Sequence, residues 1–171
     1  MTASLSARGV RVVRNGVTLL DGIDLDVQAG ELVAVLGPNG AGKSTLLGAV
    51  AGDFDLSSGS VSINGTPIVD FTPCNLARAR AVLPQQITIS FPFTVQEIVA
   101  MGRGPWQDAN DDAKVEAAMQ RMDVASLASR TYQTLSVGEQ SRVSMARVLA
   151  QDTPLLLLDE PTAVQIGRAH V

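Results

Sequence analysis

Gly37-Pro38-Asn39-Gly40-Ala41-Gly42-Lys43-Ser44-Thr45 is the stretch on which the reading of this chain turns. It has the pattern G-x-x-x-x-G-K-S of a loop that cradles phosphate groups. Glycine at 37, 40 and 42 admits backbone angles that a Cβ forbids, so successive N–H groups can converge on an anion. A helix opening near Lys43 adds the positive end of its dipole, worth roughly 0.3–1 kcal/mol toward an exposed anion. Lys43 is placed to neutralise terminal phosphates, and the Ser44 hydroxyl to meet Mg²⁺. A glycine-rich turn that binds nothing is the plain alternative, and the Lys-Ser pair argues against it.

The flanks supply the context the motif needs. Glu31-Leu32-Val33-Ala34-Val35-Leu36 is mostly apolar and partly β-branched, which predicts a buried strand. Leu46 to Ala51 predicts a helix closed by Gly52. Upstream, Ala7 to Val13 and Leu19 to Val27 read as strands around an Asn15-Gly16 hairpin turn, with clean alternation from Ile23 to Val27. Downstream, Ser60 to Ile63 with Asn64-Gly65 reads as a return to antiparallel strand, Asn75 to Arg80 as a short helix, and Ala81 to Leu83 as a strand.

From about Gln85 to Thr134 the pattern becomes helical. Thr94-x-x-Glu97 is a capping box ahead of an apolar helix that Gly102, Gly104 and Pro105 end. Asp111 to Met122 places Val115, Ala118, Met119 and Met122 on one face, so its methionines read as core filling. Asp108, Asp111, Asp112 and Glu116 read as a solvated helix start rather than a metal site. Trp106 falls in a loop, either as a partner contact or as a plug for the small core. Ser136-Val137-Gly138-Glu139 is a second capping box, opening a long helix that ends near Gln151. Pro154-Leu155-Leu156-Leu157-Leu158-Asp159-Glu160 then predicts a buried strand with two carboxylates at its C-terminal end, where ligands of α/β sheets sit.

Composition narrows the function classes. At 171 residues the chain is about one domain. Its net charge of −4 argues against a nucleic-acid partner held by basic charge. One cysteine, Cys74, excludes an intrachain disulfide and suits a reducing compartment. No apolar run approaches the ~18 residues of a membrane span, so any tie to a membrane runs through a partner.

Together these pieces resemble the nucleotide-binding subunit of ATP-binding-cassette (ABC) transporters, from about Leu5 to Ala163. The resemblance implies an α/β fold. It would have a P-loop NTPase core, an antiparallel β subdomain and a helical subdomain over about 86–152, within an ATPase domain of 1–163. It makes Gly37 to Thr45 the Walker A loop for ATP. Gln85 becomes the Q-loop glutamine, contacting Mg²⁺ and the attacking water. Leu135 to Gln140 becomes the signature motif, with Ser136, Gly138 and Glu139 on the γ-phosphate of ATP held by the opposite subunit. Leu155 to Asp159 becomes Walker B. Asp159, with Ser44 and Gln85, would serve Mg²⁺, and Glu160, with Gln85, would be catalytic. The implied assembly is a homodimer sandwiching two ATP molecules on the cytoplasmic face of the membrane, peripheral and attached to a multi-span permease.

The stretches Ala81 to Gln86, Ser90 to Val99 and Gly102 to Pro105 look like the ATPase subunits of bacterial haemin importers, which belong with iron-siderophore and cobalamin importers. That resemblance implies haemin import, with a periplasmic or lipoprotein haem-binding protein as an indirect partner. A ferric-siderophore or cobalamin importer, a catalytically impaired nucleotide-binding fragment and a non-transport ABC ATPase are the alternatives.

Three departures from the family pattern set expectations. The place where the family stacks adenine on an aromatic residue falls near Arg14 and Val13, so either the Arg14 guanidinium stacks on the base or the base is held loosely. Val137 stands where glycine is usual, and a need for positive φ there would impair the site. The C-terminal part of the ABC domain, with its switch histidine, is expected to be missing, since His170 follows Glu160 too soon. Residues 164–171 are expected to be a non-native tail, because Ile166 to Val171 can be back-translated into bases of a sequencing adapter. An exposed apolar edge at the Walker B strand would then favour aggregation, weak ATP binding and slow turnover.

Overall fold

Alternation of side chains accounts for the first two strands of this computed structural model, which describes residues 5–85, 89–106 and 111–160. β1 (Leu5–Arg14) and β2 (Val17–Val27) pair antiparallel from Leu5↔Val27 to Arg14↔Val17. Asn15 and Gly16 between them take φ of +50° and +77°, the backbone of a tight hairpin turn. On β1, Leu5, Ala7, Val10 and Val12 are at most 1% exposed. On β2 the residues from Ile23 to Val27 alternate half-buried and exposed, as their pattern predicts. β3 (Ser58–Ile63) and the short β4 (Thr66–Pro67) complete a four-stranded sheet of order β2-β1-β3-β4.

This sheet lies in the first of two compact units, Met1–Arg80 and Ala81–Val171. α1 (Lys43–Ala51) and α2 (Pro73–Ala79) complete the first unit. α1 ends as predicted. Gly52 takes φ +78°, its N–H donates to the Ala49 carbonyl, and Asp53 N–H donates to that of Gly48. Thr72 caps α2 by accepting from Asn75 N–H, and Pro73 opens the helix where its missing N–H costs nothing.

One expectation fails in this unit. Residues 31–36 form no strand, and Leu32 and Leu36 are 87% and 89% exposed. A strand exists only through its neighbours' hydrogen bonds, and no described strand pairs with this run. Its apolar sequence is that of a buried strand; its surroundings are not.

In the second unit, β5 (Arg80–Leu83) and β6 (Leu155–Leu158) make a two-stranded sheet. Three helices, α3 (Val95–Ala100), α4 (Asp111–Arg121) and α5 (Val137–Ala150), pack together through Ile98, Val99, Val115, Met119, Val143 and Ala146. Both capping boxes form. Thr94 Oγ1 accepts from Glu97 N–H while the Glu97 carboxylate accepts from Thr94 N–H. The buried Met119 fills the core as expected. Asp111 pairs with the buried Arg103 at 2.7 Å, so the acidic helix start is partly structural. Trp106 is half-buried and outside the hydrophobic core clusters: its indole N–H donates to Gln151 O at 2.6 Å, with the Arg103 guanidinium 5.3 Å and Lys114 Nζ 5.9 Å from its ring. Gln86, Asp108, Pro161, Thr162 and the expected tail 164–171 lie outside the described residues.

Candidate functional site

The phosphate loop is built from local geometry in the first unit. Gly40 and Gly42 take φ of +81° and +88°, angles an L side chain rarely adopts. Gly37 does not; it keeps a negative-side backbone, and an added Cβ there would only touch that of Ala41 at 3.5 Å. The left-handed turns are therefore two, not three. Gly42 is also hemmed in, since a Cβ would lie 3.0 Å from both the Leu19 carbonyl and Leu20 Cδ2. β2 thus backs the loop. Ala41 N–H closes a turn on Pro38 O, and Leu46 N–H bonds Gly42 O at 2.8 Å to start α1. Lys43 Nζ curls back to donate to the carbonyls of Gly37 and Pro38, each at 2.9 Å. Its charge is therefore held against the loop. Pro38, Asn39, Gly40 and Ala41 are exposed, Ser44 stands exposed on the first turn of α1, and Thr45 follows it. Left-handed glycines, a helix start and a tethered ammonium fit a polyphosphate.

The carboxylates and Gln85 belong to the second unit. Asp159 N–H donates to Leu83 O at 2.9 Å, tying the ends of β5 and β6 together. Two residues beyond Leu83, Gln85 Nε2 donates to Glu160 Oε2 at 2.6 Å. The fold thus brings a glutamine and a carboxylate 75 positions apart into direct contact. Glu160 has φ +44°, a conformation that costs a non-glycine residue about 1–2 kcal/mol and recurs at functional sites. No sequence pattern announced that strain.

Ser136, the cap of α5, is doubly engaged with Glu139. Its hydroxyl donates to Glu139 Oε2 at 2.6 Å, and its N–H reaches the same oxygen at 2.7 Å. Ser136 Oγ in turn accepts from Glu139 N–H at 3.4 Å. The Ser136 hydroxyl, its N–H and the nearby Arg130 hold the Glu139 carboxyl below its ordinary range. Val137 shows no positive φ; it is the first helical residue and 78% exposed. The feared strain at this β-branched residue is absent, because an α-helical start suits valine where a left-handed turn would not. Around Gly138 an added Cβ would meet nothing within 4 Å, so its backbone is open to approach. Arg14, flagged from sequence, lies with its guanidinium 4.4 Å above the Phe54 ring. Phe54 escaped the sequence reading because nothing local marks it.

Residues 20–163 match the ABC transporter family. Two curated relatives are each a hemin import ATP-binding protein HmuV. That of Nocardia farcinica (strain IFM 10152) is 53% identical over 169 residues, covering 94% of this chain and 59% of its own length. That of Streptomyces coelicolor (strain ATCC BAA-471 / A3(2) / M145) is 53% identical over 162 residues, covering 92% and 58%. The chain thus spans less than two thirds of these relatives. Among solved structures, a bacterial Atm1-family ABC exporter with ATP bound superposes with a TM-score of 0.83 at 29% identity, over 96% of this chain and 30% of that one. Among the described residues no helix is long and apolar enough to cross a membrane.

Proposed function

The chain belongs to the ABC transporter family, and from that premise we propose that it is the ATP-binding and ATP-hydrolysing part of a haemin importer. The printed function of its curated relatives supports the substrate. The observation that carries the catalytic reading is the bond from Gln85 to the strained Glu160, beside Asp159.

The loop N–H groups and Lys43 bind the phosphates of ATP. On the family pattern Ser44, Asp159 and Gln85 would hold Mg²⁺, which when bound would neutralise phosphate charge. Glu160 accepts a proton from water as the water oxygen bonds to the γ-phosphorus and the bond to the ADP oxygen breaks. Gln85 orients that carboxylate and the water. Ser136, Gly138 and Glu139 meet the γ-phosphate of ATP held by a second copy, which makes the working unit a homodimer. The ATPase domain spans 1–163, with 86–152 its helical subdomain. A multi-span permease carries the haemin, a haem-binding protein delivers it, and this subunit sits peripherally on the cytoplasmic face.

Two substitutions test the reading in this chain and in a full-length version. Lys43→Ala is expected to weaken Mg-dependent ATP binding at least about tenfold, since it removes a charge-assisted contact worth ~1.5–3 kcal/mol. Glu160→Gln is expected to keep ATP affinity while full-length turnover falls by about a hundredfold or more. Undiminished affinity in the first, or unchanged turnover in the second, contradicts the proposal.

A further inference from the structure

Resting on the catalytic reading of Glu160, we infer that Arg103 is a positioning residue for ATP hydrolysis. Its buried guanidinium fixes the end of α5 from which the chain passes into β6, and so sets where Glu160 meets Gln85.

Arg103 is placed as a clamp. Among the described residues it is the one buried charged side chain, 4% exposed. Its Nε donates to Asp111 Oδ1 at 2.7 Å, at the start of α4. Its Nη1 donates to the carbonyls of Ala150 at 2.9 Å and Gln151 at 3.5 Å, at the end of α5. A helix end leaves such carbonyls without internal partners, and a cation there also meets the negative end of the dipole. The adjoining turn adds two grips. A Cβ on Gly102 would fall 2.2 Å from the Arg147 carbonyl, and the Trp106 indole N–H donates to Gln151 O at 2.6 Å.

Stability alone does not account for this residue. Its Nη2 is buried with no hydrogen-bond partner. A buried ion pair with an unmet donor contributes less to stability than well-packed apolar side chains of similar volume. A planar fork held at one carboxylate and two carbonyls does supply a single axial position for α5 relative to α4.

α5 in turn holds the site. Its Met145 and Val148 cluster with Ala81 and Leu83 of β5. From Gln151 the chain turns through Asp152, at φ +53°, and Thr153, whose hydroxyl donates to Leu155 O at 3.0 Å. Leu155 opens β6, Asp159 N–H then donates to Leu83 O, and the next residue, Glu160, accepts from Gln85. Both strands that bring Gln85 and Glu160 together are therefore set by α5, β5 through packing and β6 through the turn at 151–154. A shift of α5 along its axis moves one side of that contact against the other. Misplacement by about 1 Å is enough to cost on the order of a hundredfold in rate.

The test is steady-state ATP hydrolysis by the full-length version carrying Arg103→Lys or Arg103→Met, each alone and combined with Glu160→Gln. Lysine keeps the charge and loses the fork; methionine keeps much of the bulk and loses both. Each single change is expected to lower kcat on the order of tenfold while KM for MgATP moves by less than about twofold. Far-UV dichroism and urea unfolding establish that each variant is folded at the assay temperature. In the Glu160→Gln background neither change should lower turnover further, because the carboxylate that Arg103 positions is gone. Full kcat in either folded variant, or a KM that rises as far as kcat falls, overturns the inference. So does an undiminished loss in the Glu160→Gln background, or failure of both variants to fold, which makes Arg103 a structural residue only. If Glu160→Gln itself leaves turnover unchanged, the catalytic reading falls and this inference with it.

Discussion

Ser136 shows how one side chain can answer to two demands. Its hydroxyl caps α5 and bonds Glu139, yet the proposed function asks the same oxygen to meet a phosphate. Ser136→Ala is expected to lower stability by about 1 kcal/mol as a lost cap, read by urea unfolding. The carboxyls of Glu139 and Glu97 are both held low by their capping partners. The folded chain therefore favours their ionised forms. Their contribution is whole above the ordinary value of 4.5 and is lost as pH falls below it. Stability is expected to drop more steeply in that acid range in the parent than in Ser136→Ala, as followed by far-UV dichroism; parallel curves would contradict this. The capping boxes were legible in the sequence because their partners are three residues apart and the rule is local. The contacts of Gln85 with Glu160 and of Arg14 with Phe54 were not, since only the folded chain brings such distant positions together.

At the level of elements, helix contacts are set by what the smallest residues permit. The turn Met101–Arg103 lies so close to α5 that a Cβ on Gly102 would fall 2.2 Å from the Arg147 carbonyl. Backbone cannot yield as a side-chain end can. Gly102→Ala is expected to destabilise the chain by about 1–3 kcal/mol, the usual cost of overpacking, seen as a lower urea midpoint. An unchanged midpoint would mean that the turn and the helix part readily. Sequence marked Gly102 as a helix stop; it could not mark the close approach, which depends on Arg147, over forty residues away. The four leucines of β6 and the run 31–36 read alike as strands, and only one became a strand. Periodicity reports whether a segment suits burial, not whether a neighbour is present to bury it.

For the molecule as a whole, each of the two units exposes leucines. Leu32, Leu36 and, on β6, Leu156 are exposed at 87%, 89% and 41%, a condition that favours self-association. The double change Leu32→Ser and Leu36→Ser is expected to raise the concentration at which the chain stays monomeric in sedimentation. It should move its unfolding free energy by no more than about 0.5 kcal/mol, as for surface positions. A loss of several kcal/mol would mean these leucines are packed in solution. The seat of Trp106 has a different consequence. It is the chain's single tryptophan, and Tyr132 its single tyrosine; both stand in the second unit. Ultraviolet emission from this protein is therefore a private voice of the helices. The first unit holds neither chromophore, so a dye or a new indole planted beside the glycine loop is what would give that loop a signal of its own.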